Sequence, residues 1–365
     1  MVRWDDGFID ADFAGFWTRR AAVNPDVRVL AIVGVGFDPR SLAALRALGA
    51  SGLGERLGYI GLRIVARPAF GDAGTITETL STEQANQISL LEGMRCEAIH
   101  DVRTHDDEGY NVAGRRTLEA VYESRDVLSE YSDVVVDISG MPRGMFFPLI
   151  SYLIRLSDDG VFRNLHVAVV EDPILDSRIS GREYGQADYL HTFRDTGEAQ
   201  VVWLPLVGAT EGARLEKIYS KLSGSCIEVC PILPFPARSM RWADEIAVRH
   251  ADVIFEGFLV TTDNVLLCDE RSPFDVYRKV LEVEKYYRTR LGVLPGIGAV
   301  RAVVSPLSSK TLALGMLLAA VERQLPVCHV EAGSYEVDVD DRGRLQGDTK
   351  RVPSEIWLTG EPYES

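Results

Sequence analysis

Apolar and polar positions along the chain follow two alternating periods. Short β-branched runs are followed by stretches whose apolar residues recur every three or four positions. The first such unit, VRVLAIVGVGFDPRSLAALRALGA, reads as a strand, a turn with two glycines and a helix. GYIGLRIVARP predicts a second strand, TEQANQISLLEGM a helix entered through Ser and Thr caps, and EAIHDVRT a third strand. GRRTLEAVYESRDVLSEY has helical spacing. It leads into SDVVVDISGMPRGMFFPLISYLIRL, a strand, a tight Ser-Gly turn and a long apolar helix, and NLHVAVVED predicts one more strand. Strands separated by helices imply a parallel sheet, because parallel neighbours need crossover connections.

The pattern lapses in the polar stretch DSRISGREYGQADYLHTFRDTGEAQ and then resumes. VVWLPLVG, IEVCPILPF and AVRAVVSPL predict strands, and EGARLEKIYSKL and SMRWADEIAVRHADVIF predict helices. FLVTTDNVLLCDE reads as two short strands joined at Asp263-Asn264. SPFDVYRKVLEVEKYYRTRL reads as a helix capped by Ser272 with Pro273 at its first position. The expected fold class is α/β, with two Rossmann-like halves of mainly parallel sheet flanked by helices. The expected division is an N-terminal helical extension over 1–25, a first Rossmann-like domain over 26–172, a connecting loop over 173–199 and a second α/β domain over 200–365.

The length of 365 residues supports two cores, since one core usually stops growing below that size. A hydrophobic share of 46% with 25% charged residues fits a chain that folds over most of its length. The opening MVRWDDGFIDADFAGFW carries acids where a secretory signal needs bases, and no run of 18 uncharged apolar residues occurs. A cytoplasmic protein without a membrane partner is expected. The net charge of −15 opposes direct binding along a duplex, whose affinity comes from Lys and Arg neutralising phosphates. A protein partner or a homodimer stays open. Five scattered cysteines predict free thiols, and the histidines lack HxH or HExxH spacing, so no metal site is expected.

Three turns carry the candidate chemistry. Gly34, Gly36, Asp38 and Arg40 end the first strand, where glycines let backbone amides approach an anion and the helix start adds positive potential. The complete GxGxxG fingerprint is absent because Pro39 stands where its last glycine belongs. In the second turn, Asp137, Ser139, Gly140 and Arg143 combine a carboxylate, a hydroxyl, a permissive backbone and a planar fork suited to phosphate. The third holds Ser305, Ser308, Ser309 and Lys310 between a strand and a helix, without the glycines of a Walker loop. Arg238, after IEVCPILPF, is a further candidate for the second pocket. Asp137 and Glu331 are the candidate catalytic acids. In each turn a helix-capping role competes with ligand binding.

GVGFDPR, SGMPRG and SPLSSKTLALG resemble the turns of CARF-type Rossmann-like domains, the nucleotide-sensing modules of bacterial antiviral systems. The resemblance implies a phosphate-bearing, nucleotide-like ligand held between two loops. With no PD-(D/E)xK effector signature in the chain, it implies a sensor or accessory subunit. A hydrolase or transferase acting on a nucleotide or phosphorylated substrate is the enzymatic alternative, and a non-catalytic scaffold is the third.

Overall fold

The computed structural model describes residues 2–65, 84–85, 87–89, 91, 93–182, 185–194, 197, 199–208, 212–291, 298–332, 334–338 and 351–364. In chain order the first strands are β1 (Phe8–Asp10), β2 (Val29–Val35), β3 (Leu57–Val65), β4 (Arg95–Arg103), β5 (Asp133–Asp137), β6 (Asn164–Val169) and β7 (Ile179–Arg182). Next come β8 (Asp188–Tyr189), β9 (Gln200–Val207), β10 (Cys226–Val229), β11 (Ile232–Pro234), β12 (Leu266–Cys268), β13 (Val300–Leu307) and β14 (Cys328–His329). The last strands are β15 (Ser334–Val337) and β16 (Ser354–Thr359). The helices are α1 (Phe13–Val23), α2 (Ala43–Ala50), α3 (Ala113–Glu123), α4 (Arg125–Leu128), α5 (Arg143–Asp158), α6 (Pro173–Arg178), α7 (Gly212–Leu222), α8 (Trp242–Arg249), α9 (Pro273–Arg290) and α10 (Lys310–Arg323).

The chain forms two compact units: a larger one of Gly7–Glu183 with Ala332–Ser365, and a smaller one of Met1–Asp6 with Tyr184–Glu331. This differs at both ends from the contiguous division read from sequence. Residues after 331 return to the larger unit, because β16 pairs antiparallel with β6 and β15 pairs antiparallel with β7. The first residues belong to the smaller unit, where Trp4 packs edge-on against Tyr277 and Asp5 O accepts from Arg278 Nη1. The polar stretch 173–199 is also more than a loop, since it contains α6, β7 and β8.

The larger sheet runs β1-β16-β6-β5-β2-β3-β4. Its strands from β6 to β4 are parallel, with β16 and β1 added antiparallel at one edge. Every residue of β2 (VLAIVGV) and β5 (DVVVD) is buried, as expected for parallel strands covered on both faces. The other edge strand, β4, exposes five of its nine residues. Described residues 84, 85, 87–89 and 91 are helical, in line with the expected helix, whereas its Ser and Thr caps lie outside the described residues.

In the smaller unit β9 is central, flanked on one side by β13 and on the other by β10 and β11, with β12 beyond β11, all parallel. Cys230 and Pro231 interrupt what is otherwise one strand, β10 with β11, and proline has no N–H to continue a ladder. A parallel bridge from Val304 to Val327 places β14 next to β13. The expected strand pair around Asp263-Asn264 is instead a short 3-10 turn followed by β12 alone. Ser272 caps α9 as predicted, its Oγ accepting from Asp275 N at 3.2 Å. In α10 every residue from Thr311 to Ala320 is buried, which matches a helix apolar on all sides. A Cβ on Gly315 would lie 2.0 Å from Pro273 O, so this glycine permits the close packing of α10 on α9.

Candidate functional site

Numbering the parallel strands by their order along the chain, the larger unit reads β4-β3-β2-β5-β6, or 3-2-1-4-5. The smaller unit reads β12, then β11 with β10, then β9, β13 and β14, the same 3-2-1-4-5 order. In such sheets the direction of winding reverses between strands 1 and 4, and a crevice opens there at the strands' carboxyl ends. The loops at these two reversal points contain most of the predicted turn residues.

In the larger unit the loop after β2 meets the turn after β5. A Cβ on Gly34, near the end of β2, would lie 2.8 Å from Met141 Cγ, and one on Gly140 only 2.0 Å from Ser41 Oγ, so both glycines permit close packing around the turn after β5. Gly36 was expected to turn its amide toward a phosphate. Instead its N–H donates to Gln87 Oε1 at 3.2 Å, while Gln87 Nε2 donates to Asp38 O at 2.8 Å.

Arg40 is 3% exposed and is gripped by Asp38 through Nε and Nη2 and by Asp176 through Nη1 at 2.8 Å. Burial works against its charge, but the two carboxylates hold the guanidinium protonated well above its ordinary range. Its positive charge is therefore already matched inside the protein. Asp137 is buried, and its oxygens accept from Ser139 N at 2.9 Å and Ala44 N at 3.3 Å, tying the β5 turn to the start of α2. Ser139 Oγ accepts from Val170 N at 2.9 Å, linking this turn to the end of β6. Arg143 opens α5 and is half-buried.

At the matching point of the smaller unit, a Cβ on Gly208 would lie 2.9 Å from both Ser308 Cα and Ser308 Oγ. His250 is buried and its Nε2 donates to Gly208 O at 3.2 Å, which braces the loop. Burial lowers the pKa of His250 more than this bond raises it. Ser309 caps α10, its Oγ accepting from Leu312 N at 3.3 Å, and Lys310 is the first helical residue. Ser305 lies elsewhere. Its Oγ accepts from Trp203 Nε1 at 2.9 Å and donates to Cys328 O at 2.7 Å inside the sheet, a structural role rather than the expected ligand contact.

Past β14, Arg214 Nη2 donates to Val330 O at 3.0 Å and approaches His329 Nε2 at 3.3 Å, with Glu331 3.8 Å from the same nitrogen. Arg238 is exposed beyond β11, its N–H donating to Glu270 Oε2. Sequence reasoning missed Ser41, Gln87, Asp176, Arg214 and His250. Apart from Ser41, which stands in the first turn, these residues carry no local motif and reach the site only through tertiary contacts. No group of three or more metal-binding side chains occurs among the described residues.

No family model and no curated protein matches this chain. Among solved structures, a chain described as a universal stress protein from Pseudomonas aeruginosa UCBPP-PA14 aligns over 84% of this chain and 94% of its own, at 9% identity and a TM-score of 0.21. At that score the likeness adds nothing to the topology above. The strand order itself defines the class: two Rossmann-like α/β units in one chain. Among the described residues, no helix is long and apolar enough to cross a membrane.

Proposed function

We propose that the chain is a nucleotide- or phosphate-ligand-binding protein whose ligand sits at the reversal points of its two sheets. The carrying observation is the repetition of one device. In each unit a glycine brings the end of the first strand or the loop after it close against a turn that leads into a long helix, Gly34 and Gly140 in one and Gly208 in the other, and that helix begins with a basic residue, Arg143 in one and Lys310 in the other. Helix starts offer unpaired N–H groups and positive potential, and a cation there completes an anion seat. The resemblance of these turns to CARF-type sensing domains supports the same reading and extends it to a sensor or accessory subunit of a bacterial defence system.

The catalytic alternative draws less support, because both oxygens of Asp137 are engaged in ordering backbone. The test is a thermal-shift screen with nucleotides, cyclic and linear oligonucleotides and inorganic phosphate, repeated on Arg143→Ala and Lys310→Ala. Binding to the folded state raises the melting temperature by mass action. A shift that either variant abolishes is expected. A chain that responds to none of these ligands is a scaffold, and the proposal fails.

A further inference from the structure

We propose that the larger unit carries a second site, at the β4 edge of its sheet and independent of the reversal points, that hydrolyses carboxylic esters: Ser124 is the nucleophile, His100 its general base and Glu123 a positioning residue. The three side chains converge from two packed elements. α3 lies on β4, and its last residue, Glu123, is followed by Ser124 in the break before α4. His100 stands on β4. Its Nε2 lies 2.8 Å from Ser124 Oγ, and its Nδ1 lies 3.5 Å from Glu123 Oε2. A hydroxyl within reach of an imidazole that an acid in turn orients is the geometry of an activated serine, whatever the order along the chain.

Proton placement gives the pair its direction. Ser124 has one hydroxyl proton and two neighbours, His100 Nε2 at 2.8 Å and Ala120 O at 3.3 Å. The Glu123 carboxylate only accepts, so it favours the imidazole tautomer with its proton on Nδ1 and leaves the Nε2 lone pair facing the shorter contact. The hydroxyl then donates to Nε2, as a general base requires. The backbone holds the serine in place: Ser124 N donates to Val121 O at 3.1 Å, and Ser124 O accepts from Val127 N at 3.1 Å and Leu128 N at 3.3 Å. Ser124 is 4% exposed, whereas 19% of the His100 side chain is open to solvent, so substrate reaches the hydroxyl along the open side of the ring.

In the reaction Oγ bonds to the ester carbonyl carbon as the bond to the leaving oxygen breaks, and the hydroxyl proton passes through Nε2 to that oxygen. Water then attacks the acyl-serine and gives a proton to Nε2, and the return of that proton to Oγ releases the carboxylic acid. The Glu123 carboxylate is 69% exposed and orients the ring loosely, which suits the good leaving group of an ester rather than that of an amide. A groove beside the site is lined by Tyr122, Glu123, Arg125 and Asp126, on both sides of Ser124 in the chain. Two acids against one base favour an uncharged ester over a phosphorylated or carboxylated one.

The experiment treats the full chain with a fluorophosphonate, which phosphonylates activated serines, maps the adduct by peptide mass spectrometry, and follows hydrolysis of p-nitrophenyl acetate. The adduct is expected on Ser124, and hydrolysis by the wild type but not by Ser124→Ala. His100→Ala should lower the rate at least about 100-fold. Glu123→Gln should lower kcat and leave KM unchanged, since Glu123 acts only through the ring. The mapping needs no variant, so it decides the matter even where a substitution unfolds the chain. No adduct, an adduct on another residue, or hydrolysis that survives Ser124→Ala, as a lone imidazole would give, overturns the proposal and leaves the nucleotide-binding reading untouched.

Discussion

His166 makes the sharpest prediction about stability. Its ring is fully buried, with Nδ1 2.7 Å from Glu355 Oε1 and Nε2 3.1 Å from Asp133 Oδ1. A neutral imidazole has one donor, so one of its nitrogens would face a carboxylate lone pair to lone pair; an imidazolium donates to both. Arg20 Nε also donates to Asp133 at 2.7 Å, and Trp17 Nε1 to Glu355 at 2.9 Å. Burial pushes the His166 pKa down, but the two carboxylates outweigh it and raise it above the ordinary value. For Asp133, burial pushes up, and His166 and Arg20 outweigh it, so the net direction is down.

Replacing His166 with Ala leaves two buried carboxylates with one shared cation fewer, at a cost of about 3–5 kcal/mol. For a unit of this size that corresponds to a fall in melting temperature of about 6–20 °C. The pH dependence follows from the signs. The His166 contribution is complete below its unfolded pKa of about 6.5 and is lost as pH rises through its higher folded value. The Asp133 contribution is complete above about 3.9 and is lost as pH falls through its lower folded value. Urea unfolding of wild type and His166→Ala should show the gap narrowing as pH rises above neutrality. A cost below about 1 kcal/mol, within the ordinary surface range, or a gap that widens with pH, refutes the imidazolium.

Two other substitutions test the packing. Gly315→Ala drives a methyl group against Pro273 O and should cost at least about 1–3 kcal/mol by overpacking, read as a lower urea midpoint; a neutral result would mean that α9 and α10 separate freely. Asp137→Ala leaves the Ser139 and Ala44 amides without an acceptor and should cost about 1–3 kcal/mol, while a variant that keeps wild-type stability would free Asp137 for chemistry.

The alternation of strand and helix was legible because it is local: fully buried β2 and β5 appear as unbroken β-branched runs, and Ser272 announces its own helix. The turn residues were legible for the same reason, and the shared strand order puts the SGMPRG and SPLSSKT turns at equivalent places. The return of β16 to β6 was not, since Glu355 and His166 meet across 189 residues. Nor does sequence reveal that Arg40, promising as a phosphate ligand, is bound by Asp176, 136 residues away. Nonlocal pairing decides whether a basic turn residue faces a ligand or a neighbour.

The most direct test of ligand binding at the reversal points is a crystal structure of the full chain with a bound nucleoside monophosphate. The phosphorus should lie at the carboxyl ends of the strands, beside Arg143 between β2 and β5 or beside Lys310 between β9 and β13. Ligand density at the opposite edge of the larger sheet, in the groove of about 650 Å³ lined by Tyr122, Arg125, Ser129 and Val161, would contradict the account.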